Sequence, residues 1–236
     1  MMIQILEEWC RENHITITEN QKANFEIYSK MLVEWNEKMN LTAITEESEI
    51  AVRHFIDSIS VLKYIDINPS ASVIDIGTGA GFPGIPIKIM RPDIRLTLLD
   101  SLNKRLVFLS ELCKTIGISA EIVHARAEEY AQKAEYRESF DYAVSRAVAN
   151  LPSLCEYCIP YVKKGGSFIS MKGPDGENEL AQAGNAIKLL GGGKARTSKL
   201  ILPDESTRTI IEIKKLSPTP KKYPRRSVKI SKEPLL

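Results

Sequence analysis

A short apolar run, Ser72 to Ile76, leads directly into Gly77-Thr78-Gly79-Ala80-Gly81-Phe82-Pro83-Gly84, and few folds have a use for such a passage. Glycines at a strand-to-helix turn let the backbone take up positive φ and come closer to a ligand than side chains would permit. In a parallel sheet such a turn lies at the carboxyl end of a strand, where α/β proteins bind ligands. The passage predicts a fold class and the place of a site together.

The flanking sequence has the matching rhythm. From Ser70 onward, short apolar runs alternate with helix-length segments, with strands expected at Ser72 to Ile76, Arg95 to Leu99, Ala120 to His124, Asp141 to Ser145 and Ser167 to Met171. Leu102, Leu106, Leu109, Cys113 and Ile116 share one helical face, and Gly117 stands where a C-terminal cap belongs. Leu180, Ala183, Ile187 and Leu190 outline a later helix ahead of a flexible Gly191-Gly192-Gly193. Two more strands, Lys199 to Leu202 and Thr209 to Lys215, are joined through Pro203 and Asp204 by a link too short for a parallel crossover, so they form an antiparallel hairpin. The expected fold class is α/β: a Rossmann-like methyltransferase fold, with a mostly parallel seven-stranded sheet ending in an antiparallel hairpin.

Upstream, the pattern is helical. Thr18 and Gln21 have capping-box spacing, and Phe25, Tyr28, Leu32, Trp35 and Met39 then recur on one face until Asn40, which can end the helix in a left-handed turn. After Thr45, Glu46 and Glu47, a second stripe of Val52, Phe55, Ile59 and Leu62 predicts another helix up to Tyr64. Three units follow: residues 1–66 as a helical extension packed on the core, 67–216 as the methyltransferase domain and 217–236 as a basic tail.

A chain of 236 residues with 43% hydrophobic and 26% charged residues suits one α/β domain with an appendage. It has no apolar run near the ~20 residues of a membrane span, and Met1 to His14 carries Glu7, Glu8, Arg11 and Glu12, so a cytoplasmic chain is expected. Cys10, Cys113, Cys155 and Cys158 are too scattered for a disulfide scaffold. Cys155-x-x-Cys158 lacks a second ligand pair, and His14, His54 and His124 do not supply one, so no metal site is expected. The net charge of +2 conceals a basic end: Lys214, Lys215, Lys221, Lys222, Arg225, Arg226, Lys229 and Lys232 face one acid, Glu233.

The glycine run reads in two registers. Gly79, Gly81 and Gly84 satisfy GxGxxG, a weak dinucleotide signature that would suit an NAD-dependent oxidoreductase. Asp75, Gly77, Gly79 and Gly81 satisfy DxGxGxG. A pyrophosphate wants bare amides at a helix N-terminus and is poorly served by a nearby carboxylate. S-adenosylmethionine presents an ammonium and a sulfonium, so Asp75 favours that cofactor unless its side chain ties down the loop. Asp100 can accept both ribose hydroxyls of either cofactor, or cap the next helix together with Ser101. Arg126-Ala127-Glu128-Glu129 is placed to meet an adenine, or merely opens a solvated helix. Val144-Ser145-Arg146-Ala147 ends the fourth strand beside the expected methyl group. The chain has neither the Asn/Asp-Pro-Pro-aromatic run used on exocyclic amines nor a Pro-Cys nucleophile for pyrimidine C5. A ring nitrogen with its own lone pair, such as guanine N7, needs no base, and positioning carries much of the rate. A non-catalytic RNA-binding protein on the same fold is the other alternative.

Asn40-Leu41-Thr42, Arg53-His54-Phe55-Ile56-Asp57-Ser58, the Asp75 to Pro86 run, Leu99-Asp100-Ser101 with Lys104-Arg105, Ser145-Arg146-Ala147 and Lys172-Gly173 together resemble the RsmG (GidB) family. Its members are bacterial 16S ribosomal RNA methyltransferases that modify guanine N7 at position 527. The likeness covers nearly the whole chain and is weakest before residue 20 and from Gly173 to Ser198; Phe82 stands where a leucine is frequent. The resemblance implies that Gly77, Phe82, Ala127, Glu128 and Arg146 contact S-adenosylmethionine, with Gly79 in the same turn and Asp100 at the ribose. It implies Arg53, His54, Arg146 and Lys172 around the mouth where RNA enters, and Lys221, Lys222, Arg225 and Arg226 on phosphates. His54 can equally be a satisfied helix histidine. The tail can be plain solvated chain, although Tyr223 and two interleaved prolines suit an extended arm along RNA. No residue stands out as catalytic, and the partner implied is 16S rRNA or the small ribosomal subunit, met by a monomer.

Overall fold

The computed structural model describes every residue from Met1 to Leu236. Two helices come first, α1 (Met2–Glu12) and α2 (Glu19–Met39). Thr18 and Gln21 close the expected capping box, and Asn40 ends α2 at φ 50°. The next helical segment is composite: α3 (Glu47–Glu49), a π-helical stretch (Ile50–Ile56), α4 (Asp57–Ile59) and a 3-10 turn (Ser60–Lys63). The stripe there predicts a plain helix; the wider π turn is a departure that periodicity could not reveal.

The βα part runs β1 (Ser72–Ile76), α5 (Gly84–Met90), β2 (Arg95–Asp100), α6 (Asn103–Thr115), β3 (Ala120–His124), α7 (Ala127–Tyr130), β4 (Phe140–Arg146), α8 (Leu151–Cys158) and β5 (Val162–Lys172). It ends with α9 (Gly176–Gln182), α10 (Gly184–Leu189), β6 (Gly192–Ile201), β7 (Thr207–Lys215) and α11 (Ser227–Lys232). The sheet order is β3-β2-β1-β4-β5-β7-β6, parallel through β5, with β7 antiparallel to both β5 and β6. β6 begins at Gly192, inside the glycine stretch expected to be flexible, and the single late helix is divided into α9 and α10.

Successive strand residues face opposite sides, and the core divides accordingly. Val73, Leu98, Val144, Ile169 and Ile210 join the larger buried cluster under α1, α2, α5 and α6. Ile74, Leu99, Ala143, Phe168 and Ile211 join the smaller one under α8 and α10. The N-terminal helices do more than cover the sheet: Gln21 Nε2 donates to the carbonyls of Ile89 and Met90 at the end of α5, and Tyr28 Oη donates to Ala80 O at 2.5 Å inside the glycine turn.

The C-terminal segment departs from an extended arm. Thr219, Tyr223 and Ile230 are buried, and Arg137 donates to the carbonyls of Thr219 and Tyr223. The tail therefore folds back over α8. No helix is long and apolar enough to cross a membrane.

Candidate active site

The turn after β1 is built around two acids. Asp75 is fully buried; its Oδ2 accepts from Thr78 Oγ1 (2.7 Å) and from the Gly84 amide (2.8 Å), while Oδ1 has no partner. Burial pushes its carboxyl up to about 7. Of the two uses open to Asp75, the structure realises the tie within the loop. The acid that reaches the cavity is Asp100, 2% exposed: Oδ2 accepts from the Gly79 amide at 2.9 Å and lies 3.2 Å from Arg105 Nη1, and Oδ1 accepts from the Leu102 amide. Asp100 thus steadies the glycine turn and the start of α6 at once.

Gly77 sits at φ +70°, and a Cβ there would come within 2.6 Å of Val148 Cγ2. Gly81 is at φ +105°, where a Cβ would meet Tyr28 Oη at 2.6 Å. Neither place accepts a side chain, because both conformations are strained and both spaces are filled.

Two clefts meet beside this turn. The first, about 480 Å³, lies over the carboxyl ends of β1 to β4; Gly77, Leu99, Asp100, Ala127 and Glu128 line it, with Val148, Tyr157, Ser227 and Ser231. Glu128 turns inward and is 9% exposed, while Glu129 points to solvent, so the expected acid pair has separate fates. Tyr161 Oη holds α7 in place through Ala127 O at 2.7 Å.

The second cleft, about 510 Å³, gathers Arg53, His54, Arg146 and Lys172 as expected, and adds Asp57, Glu179 and Arg208. Every cation in it has an acid: Arg53 lies against Asp204 and Glu49, Arg146 and Arg208 share Asp57, and Lys172 meets Glu179 at 2.8 Å. Lys172 also donates to Ala149 O, and Glu179 accepts from the Leu151 amide, which fixes the loop after β4. Ala147, in that loop at φ +56°, lines both clefts.

His54 is nine-tenths buried. Its ring lies 4.3 Å from Phe82 at 12°, and Phe82 stacks in turn on Tyr28 at 5.3 Å. Arg146 is an obligate donor and meets Nδ1 at 3.3 Å, so Nε2 carries the proton and donates to Thr42 Oγ1 at 2.8 Å. Burial first, then the Arg146 charge, lowers its pKa to about 3. The ring is neutral with both nitrogens partnered, as in a satisfied helix histidine, and it also lines the second cleft.

Several expected residues sit elsewhere. Gly79 and Phe82 do not line the first cleft: Gly79 acts through its amide on Asp100, and Phe82 packs beneath Arg146, 4.9 Å from its guanidinium carbon. Arg146 opens on the second cleft. Lys221, Lys222 and Arg226 are exposed, but Arg225 turns inward onto buried Glu156 and is not free for a phosphate. Cys155 and Cys158 are buried on α8, with thiols raised by desolvation, and pack as small apolar groups. Sequence reasoning missed Arg208, Asp57, Val148 and the two tail serines. Asp57 alone left a signal, inside the Arg53 to Ser58 run.

The family model described as GidB, rRNA small subunit methyltransferase G, matches residues 21–207. The chain belongs to that family. Ribosomal RNA small subunit methyltransferase G of Desulforamulus reducens is 50% identical over 232 residues, covering 98% of this chain and 97% of that protein. The protein of the same name from Staphylococcus aureus is 46% identical over 238 residues, covering 100% and 99%. Among solved structures, a predicted O-methyltransferase from Agrobacterium tumefaciens superposes with a TM-score of 0.54 at 16% identity, covering 70% of this chain and 81% of that one. M. jannaschii TYW2 in complex with AdoMet gives 0.50 at 12% identity, covering 67% and 74%. Membership of the GidB family settles the register of the glycine turn: the cofactor is S-adenosylmethionine, and the nicotinamide reading falls. The first cleft fits such a group. Gly77 leaves its floor open, Asp100 offers a carboxylate with spare lone pairs, and Leu99, Ala125 and Val148 give apolar walls.

Proposed function

We propose that the chain methylates N7 of a guanine in 16S rRNA, with the cofactor in the first cleft and the RNA in the second. The observation that carries the reading is the shared wall at Ala147, which brings the pocket floored by Gly77 and Asp100 against the one lined by Arg53, Arg146, Lys172 and Arg208. When bound, S-adenosylmethionine supplies a sulfonium-activated methyl that a purine N7 lone pair can take in one displacement, leaving a neutral thioether and a positively charged purine.

The protein's task is then holding and orienting. Asp100 faces the ribose, and Ala127 and Glu128 the adenine. The cations of the second cleft exchange carboxylates for phosphates as RNA arrives. His54 is unsuited to general-base work, since both ring nitrogens are engaged and its proton affinity is low. N7 asks for no base, so a histidine unfit for that role is consistent with this atom. Exposed Lys221, Lys222 and Arg226 add sequence-independent attraction. We assign the enzyme to the cytoplasm, acting as a monomer on 16S rRNA or the small subunit.

The test is methyl transfer from labelled cofactor to undermethylated 16S RNA and to 30S particles, followed by nucleoside mass spectrometry. 7-Methylguanosine in either substrate is expected. Label in neither, or on another atom, overturns the proposal.

A further inference from the structure

We propose that the folded-back tail is the outer wall of the cofactor cleft, and that its seating on Glu156 sets how tightly cofactor is held. The inference rests on placing the cofactor in the first cleft. Ser227 and Ser231 are four residues apart on α11, so they share a face, and both line that cleft. Ile230 beside them is fully buried, whereas Val228 is 64% exposed on the outer side.

The seat is built from charge. Glu156, wholly buried, accepts from the Arg225 amide at 2.7 Å, from Nε at 2.9 Å and from Nη2 at 2.7 Å. Arg225 Nη2 also donates to Glu233 O. Arg225 precedes α11 and Glu233 follows it, so one guanidinium fastens both ends of the helix. Gln132 Nε2 donates to Pro224 O, and Ser153 Oγ to Ile230 O, which adds two lighter ties. Tyr157, next to Glu156 on α8, lines the cleft itself. One helix thus carries both a cleft residue and the anchor of the opposite wall, and loosening the anchor removes two cleft residues together. A loose tail exposes one side of the bound cofactor to solvent; a seated tail encloses it.

Hydrogen exchange of the full-length protein with and without S-adenosylhomocysteine tests this. Slower exchange is expected in Gly77 to Gly81, in Ala125 to Glu128 and in Arg226 to Lys232. Slowing in the first two segments alone overturns the tail's role and leaves the cofactor placement standing; slowing in none overturns both. Glu156→Gln should speed exchange in α11, leave β4 and β5 unchanged and weaken S-adenosylhomocysteine binding by more than about fivefold. A loosened tail with wild-type Kd overturns the inference. Should that variant unfold, Ser231→Phe serves on an exposed position: it should weaken binding by more than about tenfold, while Val228→Phe binds as wild type. Equal affinities for the two overturn it as well.

Discussion

Asp57 Oδ2 lies 3.0 Å from Arg146 Nη1, and its other carboxylate oxygen lies 3.2 Å from Arg208 Nε. One buried acid therefore holds two arginines from different strands at the floor of the cationic cleft. Asp57→Asn keeps the shape and removes the charge. Breaking a buried pair costs about 3–5 kcal/mol, and the partial exposure of the two arginines reduces this to about 2 kcal/mol. Urea denaturation should register that loss, and kcat/KM for RNA should fall about 10-fold or more, since the guanidiniums lose their orientation.

Asp75 makes stability depend on pH in an unusual direction. Its carboxyl goes from 3.8 to about 7 on folding, so between those values the folded chain keeps a proton that the unfolded chain releases. The group's contribution is fully present below about pH 4 and is lost as pH rises through 7. The stability difference between wild type and Asp75→Asn should shrink by at most about 4 kcal/mol from pH 4 to 7.5. A difference that stays constant with pH would refute the raised carboxyl.

His54→Phe retains a flat ring against Phe82 and removes the acceptor for Arg146. Because the imidazole titrates near 3, the pH profile of methyl transfer between 5.5 and 8.5 should keep its shape in the variant. The rate should fall less than about 10-fold, against the 10²–10⁴ expected for a lost general base.

Gly77→Asp sets a side chain on a backbone at φ +70° and drives it toward Val148. Strain of about 1–2 kcal/mol and an obstructed cleft floor should abolish S-adenosylhomocysteine binding by calorimetry. Unchanged affinity would remove the cofactor from this cleft.

The tail cations should separate into two kinds. Lys221→Ala and Lys222→Ala should leave Tm unchanged and each reduce the salt slope of RNA binding by about 1. Arg225→Ala should instead lower stability by about 3 kcal/mol, because it strands the buried Glu156 carboxylate.

The order and kind of elements were legible because parallel strands are buried on both faces and read as apolar runs. The bounds of β1 and β3 came out as the sequence suggested. β5 extends back to Val162, a start hidden in the sequence because Lys163, Lys164, Gly165 and Gly166 look like a loop, yet they lead into the strand through an irregular register. The π turn was hidden, since Val52, Phe55 and Ile59 suit either winding. At the site, spacing along one chain segment gave Gly77 and Asp100. It could not give Arg208, whose partner Asp57 is remote in sequence. The tail deceived by composition: its run of basic residues suggested solvated chain, and Tyr223 with two prolines an extended arm. The opposing clue lay in α8, where Glu156 stands among Leu151, Leu154, Cys155 and Cys158; a buried acid requires a cation from somewhere.

Each arginine and lysine of the second cleft already rests against a resident carboxylate, with Arg146 and Arg208 on the same one. A strand of nucleic acid gains little by touching one of them, because it must displace a carboxylate already in contact. Only a folded target offering several phosphates in matching positions replaces all the internal pairs together. If the proposed placement of RNA in this cleft holds, such a surface should ignore most polyanions it collides with and discriminate by three-dimensional form.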